Sequence, residues 1–428
     1  MEFKRKELLD WLVKSQFNDM VKIITGVRRV GKSYLLFTLY KNYLVEKQKV
    51  NPDNIIEIDL DLVENDSYCD SNALYSYIKS KINNCKDKYF VFIDEIQKII
   101  VKEQKGINKT NIEFHNVLNS LLHTKNVDVY VTGSNSCLLS KNLPTQFRGR
   151  GWQLYVPPLS YQEINEVIKE EHEKRALRNY MEFGGLPKVW LLNSKEERHN
   201  YLKSVLTDTY ILDIIERYNL KNDTIIKPVL KFLASNVGGY TSIKNIKNFY
   251  KNKNVKINDN TLKSYLEHFE DAFVIKELLR YDVNGKRFLN TISKYYFIDN
   301  GILNAVLDFH SIKYNKLLEN VVFNELIKRK YEVSIGNVFI HKNNKRIMLE
   351  VDFIAEKDGK RYYIQVTETV EDEKKKQQEI NSLTHVNDNF KKVVIVLDDL
   401  IKHYYDENGI SIMTIYEFLE HEKALEEY

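Results

Sequence analysis

Residues 21–33, VKIITGVRRVGKS, constrain this chain more than any other stretch. A short apolar run enters Gly26-Val27-Arg28-Arg29-Val30-Gly31-Lys32-Ser33, the pattern G-x-x-x-x-G-K-[ST], and a helix-forming stretch begins at Tyr34. Strand, glycine-rich turn and helix in that order make a phosphate cradle. Glycines let backbone N–H groups approach phosphate oxygens without a Cβ in the way. The helix start adds its unpaired N–H groups and positive dipole end. The expected nucleotide contacts are therefore Gly26, Val27, Arg28, Arg29, Val30, Gly31, Lys32, Ser33 and Tyr34. Lys32 would meet the β- and γ-phosphates and the Ser33 hydroxyl a Mg²⁺ ion.

A second apolar run, Tyr89-Phe90-Val91-Phe92-Ile93, ends in Asp94-Glu95 about 60 residues after the loop. A strand there would carry Asp94 to the edge beside the phosphates, where its carboxylate holds Mg²⁺ through the metal's water shell. Glu95 would orient or deprotonate the attacking water. Further strands are expected at 55–60, 127–131 and 152–156. The run at 127–131 leads into Thr132-Gly133-Ser134-Asn135, where Ser134 or Asn135 would sense the γ-phosphate. Arg148 and Arg150, in FRGRG, are candidate charge stabilisers for phosphoryl transfer, or solvated turn residues. Alternating strands and helices, with chemistry at strand C-termini, imply a three-layer α/β fold on a parallel sheet.

Hydrophobic residues make up 43% of the 428 and charged residues 29%, the balance of a water-soluble, multi-domain chain. No apolar run is long enough to span a bilayer, and MEFKRKELLDWL lacks the apolar core of a signal peptide. The three cysteines, Cys69, Cys85 and Cys137, are odd in number and far apart, which argues against a disulfide framework or a zinc site. A cytoplasmic, reducing location is expected, with no membrane partner. The net charge of +4 says little about partners.

GVRRVGKS (26–33), VFIDEIQK (91–98), TGSNSCLLS (132–140), RGRG (148–151) and PLSYQE (158–163) together resemble a large bacterial and archaeal family of AAA-type P-loop ATPases, relatives of the archaeal ATPase clade. FGGLPKVW (183–190), YFIDNGILNAVL (296–307), LENVVFNEL (318–326) and EVDFIA (350–355) extend the resemblance into the family's conserved C-terminal domain of unknown function. The resemblance implies an extra-strand P-loop fold over residues 1–158, with ATP as nucleotide and Mg²⁺ as its metal.

Residues 159–222 read mainly helical, broken by Phe183-Gly184-Gly185-Leu186-Pro187, and are expected to form a lid that is either hinged or simply cornered there. Residues 223–308 read as three helices and a β-hairpin, the pattern of a winged helix. Its third helix would enter a DNA groove, and Lys286 and Arg287 on the wing would meet phosphates. That helix also carries Glu267, Glu270 and Asp271, so a protein-docking role stands beside DNA binding.

In residues 309–428 a helix bearing Glu319 precedes a strand bearing Glu350 and Asp352, then a second strand across Asp358-Gly359. This order resembles the PD-(D/E)-x-K nucleases, whose carboxylates hold Mg²⁺ and whose lysine positions water. The second strand departs from the pattern: Gln365-Val366-Thr367 stands where acid-x-lysine is required. Glu319, Glu350, Asp352 and Gln365 are therefore expected to form a degenerate, inactive site. The leading expectation is a Mg²⁺-dependent ATPase that moves a winged helix and a nuclease-like domain. The alternatives are an ATP-gated DNA nuclease and a non-hydrolysing ATP-binding interaction protein.

Overall fold

The computed structural model describes residues 2–84, 86–104, 113–134, 149–170, 172–218, 220, 223–251, 257–310, 313–370, 373–398 and 402–427. Asn135, Cys85, Cys137 and Arg148 lie outside these residues. The chain divides into two compact units, Met1–Pro158 with Asp271–Phe273, and Leu159–Glu270 with Val274–Tyr428.

The first unit is built on five parallel strands: β1 (Val21–Thr25), β2 (Ile55–Asp59), β3 (Tyr89–Asp94), β4 (Val127–Gly133) and β5 (Gly151–Tyr155). Their order is β2-β3-β4-β1-β5, so β4 is the extra strand between the phosphate-loop strand and the strand ending in Asp94. Helices on both faces bury β1, β3 and β4 along their whole lengths, which is why those runs are almost wholly apolar. Thr25, Asp94 and Thr132 stand at or near the C-terminal ends, and the charged exceptions farther back are Lys22 and Asp128. They form a buried ion pair between β1 and β4, and Asp128 Oδ2 also accepts from Tyr130 Oη at 2.7 Å and from the Phe17 N–H at 3.1 Å. The register places Thr25 opposite Gly133 and Asp59 opposite Asp94, so the C-terminal ends of the strands share one edge.

The second unit begins with helices Tyr161–Ile168, Glu173–Phe183 and Lys195–Ser204, the last continued by a π-helical stretch, Val205–Ile211. The Phe183–Pro187 corner is pinned: the Gly185 N–H donates to Asp299 Oδ2 at 2.6 Å, and the Asn304 amide donates to the carbonyls of Met181 and Glu182 at 3.0 and 2.8 Å. Helices Asp223–Ser235, Ile243–Lys251 and Asp259–Asp271 follow.

A nine-stranded sheet spans the rest. Its strands are β6 (Tyr240–Thr241), β7 (Ile275–Asp282), β8 (Arg287–Phe297), β9 (Glu332–Lys342), β10 (Lys345–Lys357), β11 (Lys360–Thr367), β12 (Lys391–Val396), β13 (Tyr404–Tyr405) and β14 (Ser411–Thr414). The order is β13-β14-β12-β11-β10-β9-β7-β8-β6. The expected wing, β7–β8, is thus hydrogen-bonded into the same sheet as β9–β11, through parallel pairing of Arg280, Tyr281 and Asp282 with Ile335, Gly336 and Asn337. β9 is absent from the sequence reading. The helix Tyr314–Lys328 is fastened to β8 by Asn320, whose Oδ1 accepts the Phe297 N–H and whose Nδ2 donates to the Phe297 carbonyl, both at 2.8 Å. Among the described residues no helix is long and apolar enough to cross a membrane.

Candidate functional site

The loop after β1 has the conformation that its glycines permit. Gly26 has φ 147°, and a Cβ there would strike the Val156 carbonyl, so only glycine lets the chain leave β1 at this angle. Gly31 is left-handed at φ 90° and opens the helix Lys32–Tyr34, which continues through Leu35–Tyr40 and Lys41–Glu46. Val27 and Val30 are buried and anchor the loop, whereas Arg29 is exposed. Lys32 is buried, and its ammonium donates to the Gly26 and Val27 carbonyls at 3.0 and 3.1 Å. Ser33 is half-buried beside it, and Tyr34 is exposed with its hydroxyl on Glu2 Oε1 at 3.0 Å.

Asp94 ends β3 at the same edge. Thr132 of β4 donates its hydroxyl to Asp94 Oδ1 and accepts the Glu95 N–H at 3.3 Å. Glu95 itself is held in the left-handed region at φ 55°, a conformation that costs a non-glycine residue about 1–3 kcal/mol. Burial pushes its carboxyl up to about 7, against the Lys32 charge, with the Asp94 charge pushing the same way as burial. Ser134 is buried and accepts from Arg28 Nε at 3.2 Å and from Gln97 Nε2 at 3.3 Å. Gln97 Nε2 also donates to Glu95 Oε2. The structure thus brings together Arg28, Lys32, Glu95 and Ser134, and adds two residues that sequence reasoning missed. Thr132 stood in the quoted TGSN motif, and Gln97 in DEIQK, two residues past Glu95.

Arg150 is not brought to this edge. It immediately precedes β5, whose Gly151 pairs with Val21, and the Arg150 carbonyl accepts the Val21 N–H at 2.9 Å. It therefore lies at the start of the parallel strands, about 15 Å along the sheet from the phosphate loop. Within one chain its exposed side chain is not a charge stabiliser for that loop.

The residues fit a magnesium–nucleotide complex. Gly26 and Gly31 hold the loop in the positive-φ conformation that turns it over the helix start, Lys32 rests on loop carbonyls that a phosphate would replace, and Asp94 and Ser33 supply oxygen ligands of the kind Mg²⁺ takes. The buried Gln97 Oε1 has no hydrogen-bond partner beside Glu95, an acceptor open to a bound water or ligand.

The second unit holds the acid cluster. Glu319, on Tyr314–Lys328, accepts from Tyr296 Oη and from Lys316 Nζ at 2.8 Å. Asp352 lies where the β9–β10 register slips between Val351 and Ile354, and its Oδ2 accepts the Val366 N–H at 2.9 Å. Gln365 does not offer a free amide oxygen, since that oxygen faces the Asp352 N–H at 3.4 Å. The expectation of a missing cation is corrected here. Thr367 turns to the Thr369 carbonyl, but Lys294 of β8 enters the cluster instead, buried, with Nζ 2.6 Å from Glu350 and 3.5 Å from Glu319. Burial disfavours the Lys294 charge, yet Glu319 and Glu350 outweigh it and raise the lysine above its ordinary range. Burial, with the Glu319 charge, raises Asp352, while Lys294 and Lys316 hold Glu319 low against its own burial. No sequence signal marked Lys294, because it lies on the strand assigned to the wing.

Comparison with known proteins matches three successive stretches of the chain. Residues 18–165 match the model of an AAA domain, 174–313 a domain of unknown function (DUF8612), and 314–418 another (DUF4143). A Walker-type ATPase of Pyrococcus abyssi superposes with a TM-score of 0.49 at 17% identity, over 72% of this chain and 96% of that one. An uncharacterized protein of Methanocaldococcus jannaschii is 30% identical over 350 residues, 78% of this chain and 72% of its own length. An uncharacterized protein of Haemophilus influenzae is 30% identical over 422 residues, 97% of this chain and 98% of its own. The chain belongs to the family of that Haemophilus influenzae protein, and its N-terminal unit is an AAA-type P-loop ATPase domain.

Proposed function

We propose that the chain is a Mg²⁺-dependent ATPase that acts as a nucleotide switch, coupling its first unit to a DNA-binding second unit with a hydrolytically silent nuclease-like core. The observation that carries this is the set of contacts at the strand edge: Lys32 on loop carbonyls, Asp94 on Thr132, and Glu95 on Gln97, which also meets Ser134. Ser33 and Asp94 would hold Mg²⁺, which neutralises phosphate charge when bound. Lys32 leaves the two carbonyls for the phosphates. Glu95, whose carboxyl titrates near neutrality, takes a proton from the attacking water. Ser134 and Arg28 face the same edge and report whether a γ-phosphate is present. Residues 159–222 act as a lid and 223–308 as a winged helix in this reading, with a cytoplasmic location.

The test compares nucleotide affinity with phosphate release. Lys32→Ala loses binding, and Glu95→Gln binds Mg·ATP but turns over about 10²–10⁴-fold more slowly. Wild-type turnover in Glu95→Gln would refute the assignment, and tight binding without phosphate release in the wild type would favour a non-hydrolysing interaction protein.

One observation favours an ATP-gated nuclease as a second reading: Lys294 supplies a lysine among Glu319, Glu350 and Asp352. Against it, that ammonium bonds to the carboxylates themselves. Among the described residues no group of three or more His, Cys, Asp or Glu is placed to hold a metal. Cleavage of duplex DNA with Mn²⁺ that vanishes in Asp352→Ala would establish the second reading.

A further inference from the structure

We propose that the β9–β10 arm grips duplex DNA through its phosphates and leads the duplex toward the Lys294 cluster. The inference rests on the reading of the second unit as DNA-binding, and moves the contact away from the winged-helix elements.

β9 continues five residues past its last pairing with β7, at Asn337; Val338 and Ile340 still pack on the core, and residues 341–348 stand exposed at the end of the β9–β10 hairpin. Its tip is Asn343-Asn344, both left-handed at φ 51° and 58°, the backbone of a two-residue hairpin turn matched to strand twist. The tip is therefore a built turn that fixes the ribbon's register. Residues 338–349 read VFIHKNNKRIML, with no acid among them. Lys342, Lys345, Arg346 and His341 are exposed, and among the described residues none of them is in an ion pair. Three exposed cations, Lys342, Lys345 and Arg346, with no acid in the stretch are an electrostatic footprint for a polyanion.

The cations also lead somewhere. Alternation places Arg346, Met348 and Glu350 on one face of the ribbon, opposite His341, Phe339 and Asn337. Arg346 stacks on Phe339, its Cζ 3.9 Å from the ring centroid, which stiffens the guanidinium. Arg280 of β7 lies next, 3.9 Å from Met348 Sδ and over the Tyr240 ring. The other cation near that ring is Lys294, whose Nζ is 5.5 Å from the centroid. The row Arg346, Arg280, Lys294 thus runs down one face to the acid cluster. A two-stranded ribbon fits the major groove of B-DNA, which an isolated exposed patch does not require. The alternative surface is weaker. The helix Asp259–Asp271 carries Glu267, Glu270 and Asp271, and Arg287 of the wing is 3.9 Å from Asp282.

The test measures binding of the full chain to labelled duplex DNA across a salt series, with phosphate release from ATP followed in parallel. Three chains are compared: wild type, an arm variant combining Lys342→Gln, Lys345→Gln and Arg346→Gln, and a wing variant combining Lys286→Gln and Arg287→Gln. Thermal melting checks that each is folded, and all five positions lie outside the core. The arm variant loses at least about tenfold in affinity at 0.1 M salt, and its log–log salt slope falls by about 2.7, since each phosphate contact contributes about 0.9. The wing variant keeps most of its affinity. Loss confined to the wing variant would overturn the arm while leaving the DNA reading intact. A wild-type chain that binds no duplex, or that binds only phosphatidylserine vesicles, would overturn both the arm and that reading. Phosphate release stands apart from either result.

Discussion

Gln97 bonds through one amide to Glu95 and Ser134, and its other polar atom faces no partner. In the proposed mechanism it positions the Glu95 carboxylate toward the attacking water. Gln97→Ala should leave nucleotide affinity within about twofold and lower turnover roughly 10²-fold, because a misplaced base loses its alignment with water. Gln97→Glu would place a second acid against Glu95, so the two variants separate loss of an amide from loss of bulk. Equal falls in affinity and turnover would indicate a merely structural role. A second residue-scale prediction concerns Asp128, whose carboxylate is the partner of the fully buried Lys22. Burial already lowers the Lys22 ammonium below its ordinary range. Asp128→Ala leaves that ammonium without its acid and should cost about 3–5 kcal/mol in urea unfolding, whereas replacing both residues with apolar ones should recover most of it. A double variant as unstable as Asp128→Ala would show that the loss is not electrostatic.

Elements set these residues in place. Gly184 ends the helix Glu173–Phe183 at φ 69° and ψ −159°, a region that essentially only glycine occupies, and a Cβ there would meet the Asp299 carboxylate. Gly184→Ala should therefore destabilise the second unit by at least about 1–3 kcal/mol, read as a lower melting temperature, with ATP affinity unchanged. A neutral result would mean that the corner moves freely. In sequence the same two glycines suggest either a hinge or a corner. The deciding contact, Asp299, lies 114 residues beyond Gly185. The first sheet was legible because buried parallel strands are continuous apolar runs and the phosphate loop has fixed residue types. Arg150 misled because a glycine turn rich in arginine says nothing about which sheet edge it occupies. In the second unit, β9 begins Glu-Val-Ser-Ile-Gly-Asn, with a mid-strand glycine that weakens the strand pattern. Gly336 packs where a Cβ would meet Val351, a close approach that only the folded sheet reveals. Lys294 was hidden for the same reason, since the pairing of β7 with β9 joins the strand read as a wing to the sheet that carries Glu350 and Asp352.

At the scale of the molecule, the chain joins an AAA-type ATPase domain to a second unit whose nine-stranded sheet carries both the Lys294 cluster and the basic arm. A switch requires that nucleotide have different affinities for two states of the chain, and by linkage DNA must then alter nucleotide affinity by the same factor. Typical coupling is about 1–3 kcal/mol, a factor of roughly 5–150. The direct measurement is the duplex DNA affinity of the Glu95→Gln chain, at fixed salt, without nucleotide, with Mg·ATP and with Mg·ADP. Nucleotide-dependent switching predicts at least about a fivefold difference between the ATP-bound and nucleotide-free chains, mirrored in ATP affinity with and without DNA. Identical DNA affinities in all three conditions, with ATP demonstrably bound, would contradict it.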